Sequence, residues 1–277
     1  VEKKLLLDAL GIGTNANGGD CVAVVGAGGK TSLCWRLVQA LAAQQQHVVF
    51  TTTTKIWQPQ AGVFDDVVIG EWGEGLGLGR GEWYTACVAK AQLAGGLLEP
   101  VADSLMPVVQ TKLMGFSPDE VCALRRNVAQ ASGQSRKSVS WLIEADGARG
   151  LLLKAPSDDE PQIPHCADVV CVLACADAIG QPLSGDSAHR PNRISKITGA
   201  QMGAVLNASH IVDLLAHRDG GMKNIPPHAR KVAVLTQRAP DKPNNSVPQL
   251  LKALVQRGFD VAVSVALRAE QCVLASS

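Results

Sequence analysis

Apolar residues fall along this chain in short continuous runs, and between them leucines and valines recur at helical spacing. The runs Cys21 to Val25, His47 to Thr51, Val139 to Glu144, Asp168 to Ala174, Lys231 to Thr236 and Phe259 to Val265 read as buried strands. Leu33, Leu37, Val38 and Leu41 place a helix between the first two, and the order strand, helix, strand predicts a parallel sheet with right-handed crossovers. Leu5, Leu6, Leu7 and Leu10 suggest a lead-in helix ended by Gly11, and Val67 to Ile69 a further strand. A helix is expected from about Tyr84 to Leu93. Ser117, Pro118 and Glu120 form a capping-box start for another, which runs to about Ala131. Two short helices are expected between Asn192 and His217, and a last helix from Leu250 to Arg257. The expectation is an α/β fold, a mostly parallel sheet with flanking helices in a phosphate-loop NTPase-like three-layer architecture. It forms one domain over 1–277, with a small helical insertion at about 192–227.

Composition narrows the function classes. With 277 residues the chain can bury a large core without disulfides or a structural metal. A net charge of +1 supplies no global field for nucleic acid or a membrane surface, so neither is expected as a partner. No apolar run reaches the roughly 18 residues of a spanning helix. The N-terminal VEKKLLLDALGIG is too weakly hydrophobic and too acidic for a signal peptide, so the expected location is cytoplasmic. The eight cysteines are scattered in apolar surroundings and are expected to be reduced, buried thiols.

The strongest chemical signal is Val24 to Ser32, VVGAGGKTS, where a strand turns through Gly26, Ala27, Gly28 and Gly29 into Lys30, Thr31, Ser32 and a helix. Small residues let backbone N–H groups converge on a phosphate, and the helix start adds a favourable dipole. Lys30 supplies a positive charge and Thr31 a hydroxyl for Mg²⁺. The spacing GxxxxGK[ST] would require Gly at position 24, where Val24 stands, so the loop reads as a shortened variant. The alternative is a plain strand-to-helix turn with a solvent-facing lysine.

Three further segments add to it. Thr51 to Lys55 sits at the end of the second strand, where open α/β sheets bind ligands, though four β-branched residues could simply extend the strand. Thr53 or Thr54 there could meet a phosphate oxygen or Mg²⁺, and Lys55 would add charge. Glu144 and Asp146 leave a buried strand where a carboxylate can complete an Mg²⁺ site or orient a nucleophile, though either could cap a turn instead. The polar exit from the strand ending at Ala174 carries Asp177, His189 and Arg190, candidates with Lys154 for a second-substrate site. Trp72 and Trp83 flank a Gly-rich loop and serve either base stacking or anchoring. Gly133 to Lys137 reads as a basic solvated linker. A guanine-reading element would need Asp at 239, whereas Ala239 stands there and Asp241 is displaced, so the base, ATP or GTP, stays open.

VVGAGGKTS, FTTTTKI at Phe50 to Ile56 and IEADGARG at Ile143 to Gly150 together resemble the selenium cofactor biosynthesis protein YqeC family. So do Lys154-Ala155-Pro156, Glu160-Pro161, Ile163-Pro164, Asp177 to Gly180 and His189-Arg190-Pro191. The family is described as accessory to selenium-dependent molybdenum hydroxylases. The resemblance implies a phosphate-loop NTPase using a nucleoside triphosphate and Mg²⁺, with a molybdenum hydroxylase as partner. Carried over by residue, Gly26, Gly28, Gly29 and Lys30 match the phosphate loop, Thr31 the metal-side hydroxyl, Thr52 to Lys55 the hydroxyl-rich element, and Glu144 with Asp146 the acidic strand end. The activity expected is NTP hydrolysis or phosphoryl transfer. The alternatives are a small-molecule kinase or nucleotidyltransferase, and a non-catalytic nucleotide switch.

Overall fold

The computed structural model describes residues 2–13, 19–60, 62–70, 84–97, 109–131, 139–238, 245–267 and 275–276. Trp72, Trp83, the segment 133–137, Ala239 and Asp241 lie outside them. The described chain runs α1 (Glu2–Leu10), β1 (Cys21–Gly26), α2 (Lys30–Ala42), β2 (His47–Thr52), β3 (Lys55–Trp57), β4 (Asp66–Ile69), β5 (Thr85–Ala89), β6 (Ala91–Leu97) and β7 (Val109–Met114). It continues with α3 (Pro118–Ala131), β8 (Val139–Glu144), β9 (Leu153–Lys154), β10 (Val169–Cys175), β11 (Ala188–His189), α4 (Pro191–Thr198) and α5 (Ala208–Ala216). The last elements are β12 (Arg230–Gln237), α6 (Val247–Gln256), β13 (Val261–Ala266) and β14 (Ala275–Ser276).

Among the described residues nine strands form one sheet in the order β14-β13-β12-β10-β1-β8-β2-β5-β4, and every pairing there is parallel except that of β14 with β13. Alternation along β1 explains the layers. Val22 and Val24 face α1 and α2, packing with Leu7, Leu10, Leu33, Leu37 and Leu41. Cys21, Ala23 and Val25 face the other side, where Val121 of α3, Ile194 of α4, Leu214 of α5 and Leu251 of α6 close the second layer. Burial on both faces is why the central strands read as continuous apolar runs. The arrangement is a three-layer α/β fold.

β1 lies between β10 and β8, so the turn leaving β1 and the turn leaving β8 stand side by side at the carboxyl end of the sheet. A smaller antiparallel sheet, β3-β7-β6, closes over the end of β2.

The helix expected from Tyr84 to Leu93 is absent. Thr85 to Ala89 form β5, buried throughout between β2 and β4, and the chain turns at Lys90 into β6. A short apolar stretch carries too few turns for its period to separate helix from buried strand, and pairing with Val48 to Phe50 decides it. The expectation of reduced thiols also fails at one pair. Cys122 on α3 and Cys166, in the loop before β10, form a disulfide across 44 residues of sequence. Packing of α3 against that loop brings the two together, which sequence distance hides. Cys21, Cys34, Cys87, Cys171 and Cys175 are free and buried, as expected.

Candidate functional site

The turn after β1 requires its glycines. Gly26 has φ +93° and a Cβ there would lie 2.2 Å from the Leu173 carbonyl oxygen; at Gly28, φ +88°, it would lie 2.7 Å from the Cys175 Cβ. The turn is pinned to β10 and β12, with the Ala27 N–H donating to Leu173 O at 3.0 Å and the Thr236 hydroxyl to Gly28 O at 2.6 Å. Helix α2 begins directly at Lys30 behind Gly29, and no side chain caps it. Its first-turn N–H groups and dipole therefore point out of a pinned, small-residue turn, which is the arrangement that binds phosphate oxygens.

Lys30 is not solvent-facing: it is 5% exposed. Its Nζ donates to Gly26 O at 2.7 Å and pairs with Asp146 Oδ1 at 3.1 Å. Asp146, 2% exposed, stands just beyond β8 and is shared. Its Oδ2 accepts from the Gly26 N–H at 3.0 Å and from Lys154 Nζ at 3.0 Å. Its Oδ1 has the Lys30 ammonium beside it but no aligned hydrogen bond.

Lys154 extends the network. Its Nζ also donates to Gly147 O at 2.7 Å and pairs with Glu160 Oε2 at 2.8 Å, which in turn accepts from Arg190 Nη1 at 2.7 Å. Partial burial would raise the Glu160 pKa, but the hydrogen bonds from Arg190 and Lys154 outweigh it and hold the carboxyl down at about 2. His189 moves down as well, through burial and then the Arg190, Lys154 and Arg149 charges, which favours neutral imidazole at pH 7.

Glu144 behaves in the opposite way. It is the last residue of β8, accepts from the Thr31 hydroxyl at 2.7 Å, and is 7% exposed. Burial raises its pKa against the lowering effects of Lys30 and the Thr31 hydrogen bond. Thr31 Oγ1 and Glu144 Oε2 are hard oxygen donors side by side at a helix N-terminus. They fit Mg²⁺, which takes one or two protein oxygens and fills its octahedron with water and phosphate. Among the described residues no group of three or more His, Cys, Asp or Glu could hold a metal by itself.

The threonine element divides in function. Thr51 donates to Val88 O, Thr52 to Glu144 O and Thr53 to Gln162 O, so these hydroxyls tie strands and loops together. Thr54 shares a 3.2 Å contact with the Thr52 hydroxyl, and Lys55 is exposed. Both line a cavity beside Gly147 rather than the glycine-rich turn after β1.

Of the residues singled out from sequence, Gly26 to Thr31, Glu144, Asp146 and Lys154 come together, and Arg190 joins through Glu160. Ser32 is exposed on α2. Asp177 stands apart, accepting from the Arg238 N–H at 3.1 Å. Glu160 was missed. It reads locally as one acid in a proline-rich loop, and its partners lie 6 and 30 positions away.

A family profile described as YqeC protein matches residues 22–192, which span both the glycine-rich turn after β1 and the Lys154–Glu160–Arg190 network. The protein named uncharacterized protein YqeC from Escherichia coli (strain K12) is 30% identical over 243 residues, covering 86% of this chain and 84% of that one. No solved structure matches. With most of the chain matched to that profile and that relative, it belongs to the YqeC family.

Proposed function

We propose that this chain binds the phosphates of a nucleoside triphosphate with Mg²⁺ and hydrolyses or transfers the terminal phosphoryl group. It would do so as an accessory factor in the maturation of selenium-dependent molybdenum hydroxylases, the role its family resemblance implies. The observation that carries the chemical part is the buried Lys30 at the start of an uncapped helix, ion-paired with Asp146 of the neighbouring strand end.

The residues divide the work by their chemistry. The N–H groups of Gly28 to Thr31 cradle the phosphates. Lys30 leaves Asp146 to neutralise charge developing on the transferring group, where a fixed cation in a water-poor site is worth most. Asp146 keeps Lys154 as its partner in that exchange, so its carboxylate stays compensated. Thr31 and Glu144 would hold Mg²⁺, whose chemistry when bound would be to neutralise phosphate charge. Asp146 orients the attacking oxygen and accepts its proton.

The cavity beside Gly147 favours transfer to a second molecule over simple hydrolysis. The base reader is left open between ATP and GTP. Phosphorus NMR of the full chain with Mg²⁺ and each nucleotide tests turnover. Loss of the γ-phosphate resonance, absent with Asp146→Asn, supports the reading; unchanged nucleotide refutes hydrolysis, and unchanged nucleotide after addition of small-molecule acceptors refutes the enzymatic part altogether.

A further inference from the structure

The turn that follows β8 serves two neighbours. Its Glu144 and Asp146 face the phosphate loop, while Gly147 forms part of the wall of a cavity of about 540 Å³. That volume lies within the usual range for small-molecule sites, and the cavity is a shallow one, broadly open to solvent. The rest of the wall comes from the threonine element after β2, the entry to α3, and the Glu160–Gln162 loop.

The walls are fixed by the backbone. The Gly115 N–H donates to Thr54 O at 2.8 Å, the Phe116 N–H to Thr52 O at 3.0 Å, and the Thr53 hydroxyl to Gln162 O at 2.8 Å. A Cβ on Gly115 would stand 1.8 Å from the Thr52 carbonyl oxygen, so only glycine lets the two walls meet this closely. The cavity is a preformed feature of the fold, which lowers the ordering cost of binding.

Its chemistry is mixed. Met114, Phe116 and Pro118 give an apolar side; Thr54, Lys55 and Glu160 give a polar one. Glu160 is committed to Lys154 and Arg190, so its charge is already balanced by two cations. Lys55 has no ion pair among the described residues. The charged side chains of the wall, Lys55 and Glu160, are of opposite sign, and the one left without a counter-charge is the ammonium.

We propose that this cavity binds a second ligand, a small organic anion, with its carboxylate or phosphate on Lys55 and its apolar body against Met114 and Phe116. The assignment rests on the phosphate-loop reading only in calling the ligand second; the cavity and its charge stand without it. A ligand seated there lies across a single turn of chain from Asp146.

The test is amide NMR of the full chain in the Lys30→Ala background, where the phosphate loop is disabled, with phenyl phosphate, benzoate and benzylamine as probes. Phenyl phosphate or benzoate should shift the amides of Gly115, Ser117 and Gly147, and which of the two binds more tightly identifies the head group. Lys55→Ala should weaken that binding about tenfold, the usual loss for a charge-assisted contact, and Lys55→Arg should restore most of it. Lys55 is exposed on a short strand, so both variants keep the fold, and the same spectra verify it. The proposal is overturned if neither anion shifts those amides, if Lys55→Ala leaves the affinity unchanged, or if benzylamine binds as well. Failure of nucleotide binding with these shifts intact would count against the phosphate-loop reading alone.

Discussion

Lys30 and Asp146 are buried against each other at 3.1 Å, which joins the loop after β1 to the strand end after β8. Asp146 also holds Lys154 at 3.0 Å, so one carboxylate compensates two buried ammonium groups. Removing one partner of a buried pair leaves the other charge stranded, at a typical cost of about 3–5 kcal/mol.

That asymmetry makes a first prediction. Asp146→Ala strands Lys30 and leaves Lys154 with Glu160 as its one carboxylate, and should lower stability by roughly 3–5 kcal/mol. Lys30→Met leaves Asp146 paired with Lys154 and should cost clearly less. Urea denaturation of the two variants without nucleotide checks the order; equal losses would mean that the shared carboxylate does not organise the network.

Glu160 sets a pH dependence. Its carboxyl is held down at about 2 by Arg190 and Lys154 against partial burial. A depressed acid contributes stability above its unfolded value and loses it as pH falls through the folded one. Linkage makes the contribution on the order of 3 kcal/mol at neutral pH, fading from about pH 4.5 down to about 2. Glu160→Gln should therefore destabilise the chain at pH 7, and by about half as much at pH 3. Denaturant midpoints across that range provide the measurement.

Glu144 has the opposite sign. Burial raises its pKa, so its ionised form is a penalty in the folded protein that grows above the unfolded carboxyl value. Glu144→Gln, which can still accept from Thr31, should raise the melting temperature at pH 8 and change it little near pH 4. The same variant should lose Mg²⁺ dependence of nucleotide binding. A lower melting temperature at pH 8 would show that Lys30 and Thr31 outweigh the burial.

The Cys122–Cys166 disulfide ties the helix that starts at the cavity to the loop that carries Glu160 and Gln162. Closing a loop of this length stabilises by about 4 kcal/mol in the chain-entropy model. Reduction should lower the melting temperature by roughly 5–8 °C for a chain of this size. A Cys122→Ser, Cys166→Ser double variant should show no response to reductant. Calorimetry with and without a phosphine reductant makes the comparison.

The central strands were legible because both faces of β1, β2, β8, β10 and β12 are covered, which leaves continuous apolar runs in the sequence. The meeting of the glycine-rich turn 26–29 with the acids at 144 and 146 was legible because each stands immediately after such a run, where the topology has little freedom to put them elsewhere. β5 was not, since Thr85 to Ala89 become a strand only by pairing between β2 and β4. Glu160 and the Cys122–Cys166 bond were hidden for a related reason. Their partners come from other elements, and no local period or spacing encodes which loops will touch. Sequence also grouped Asp177 with His189 and Arg190, whereas its carboxylate turns to the backbone after β12.

The central claim is that Lys30 and the turn before it bind nucleotide phosphates with Mg²⁺. Calorimetric titration of the full chain with ATP, GTP and CTP, with and without Mg²⁺, tests it directly when repeated on Lys30→Ala. The account predicts Mg²⁺-dependent binding of at least one nucleotide and its loss in the variant, which should still give a cooperative melt. Absence of binding by all three, or equal affinity in Lys30→Ala, would contradict it.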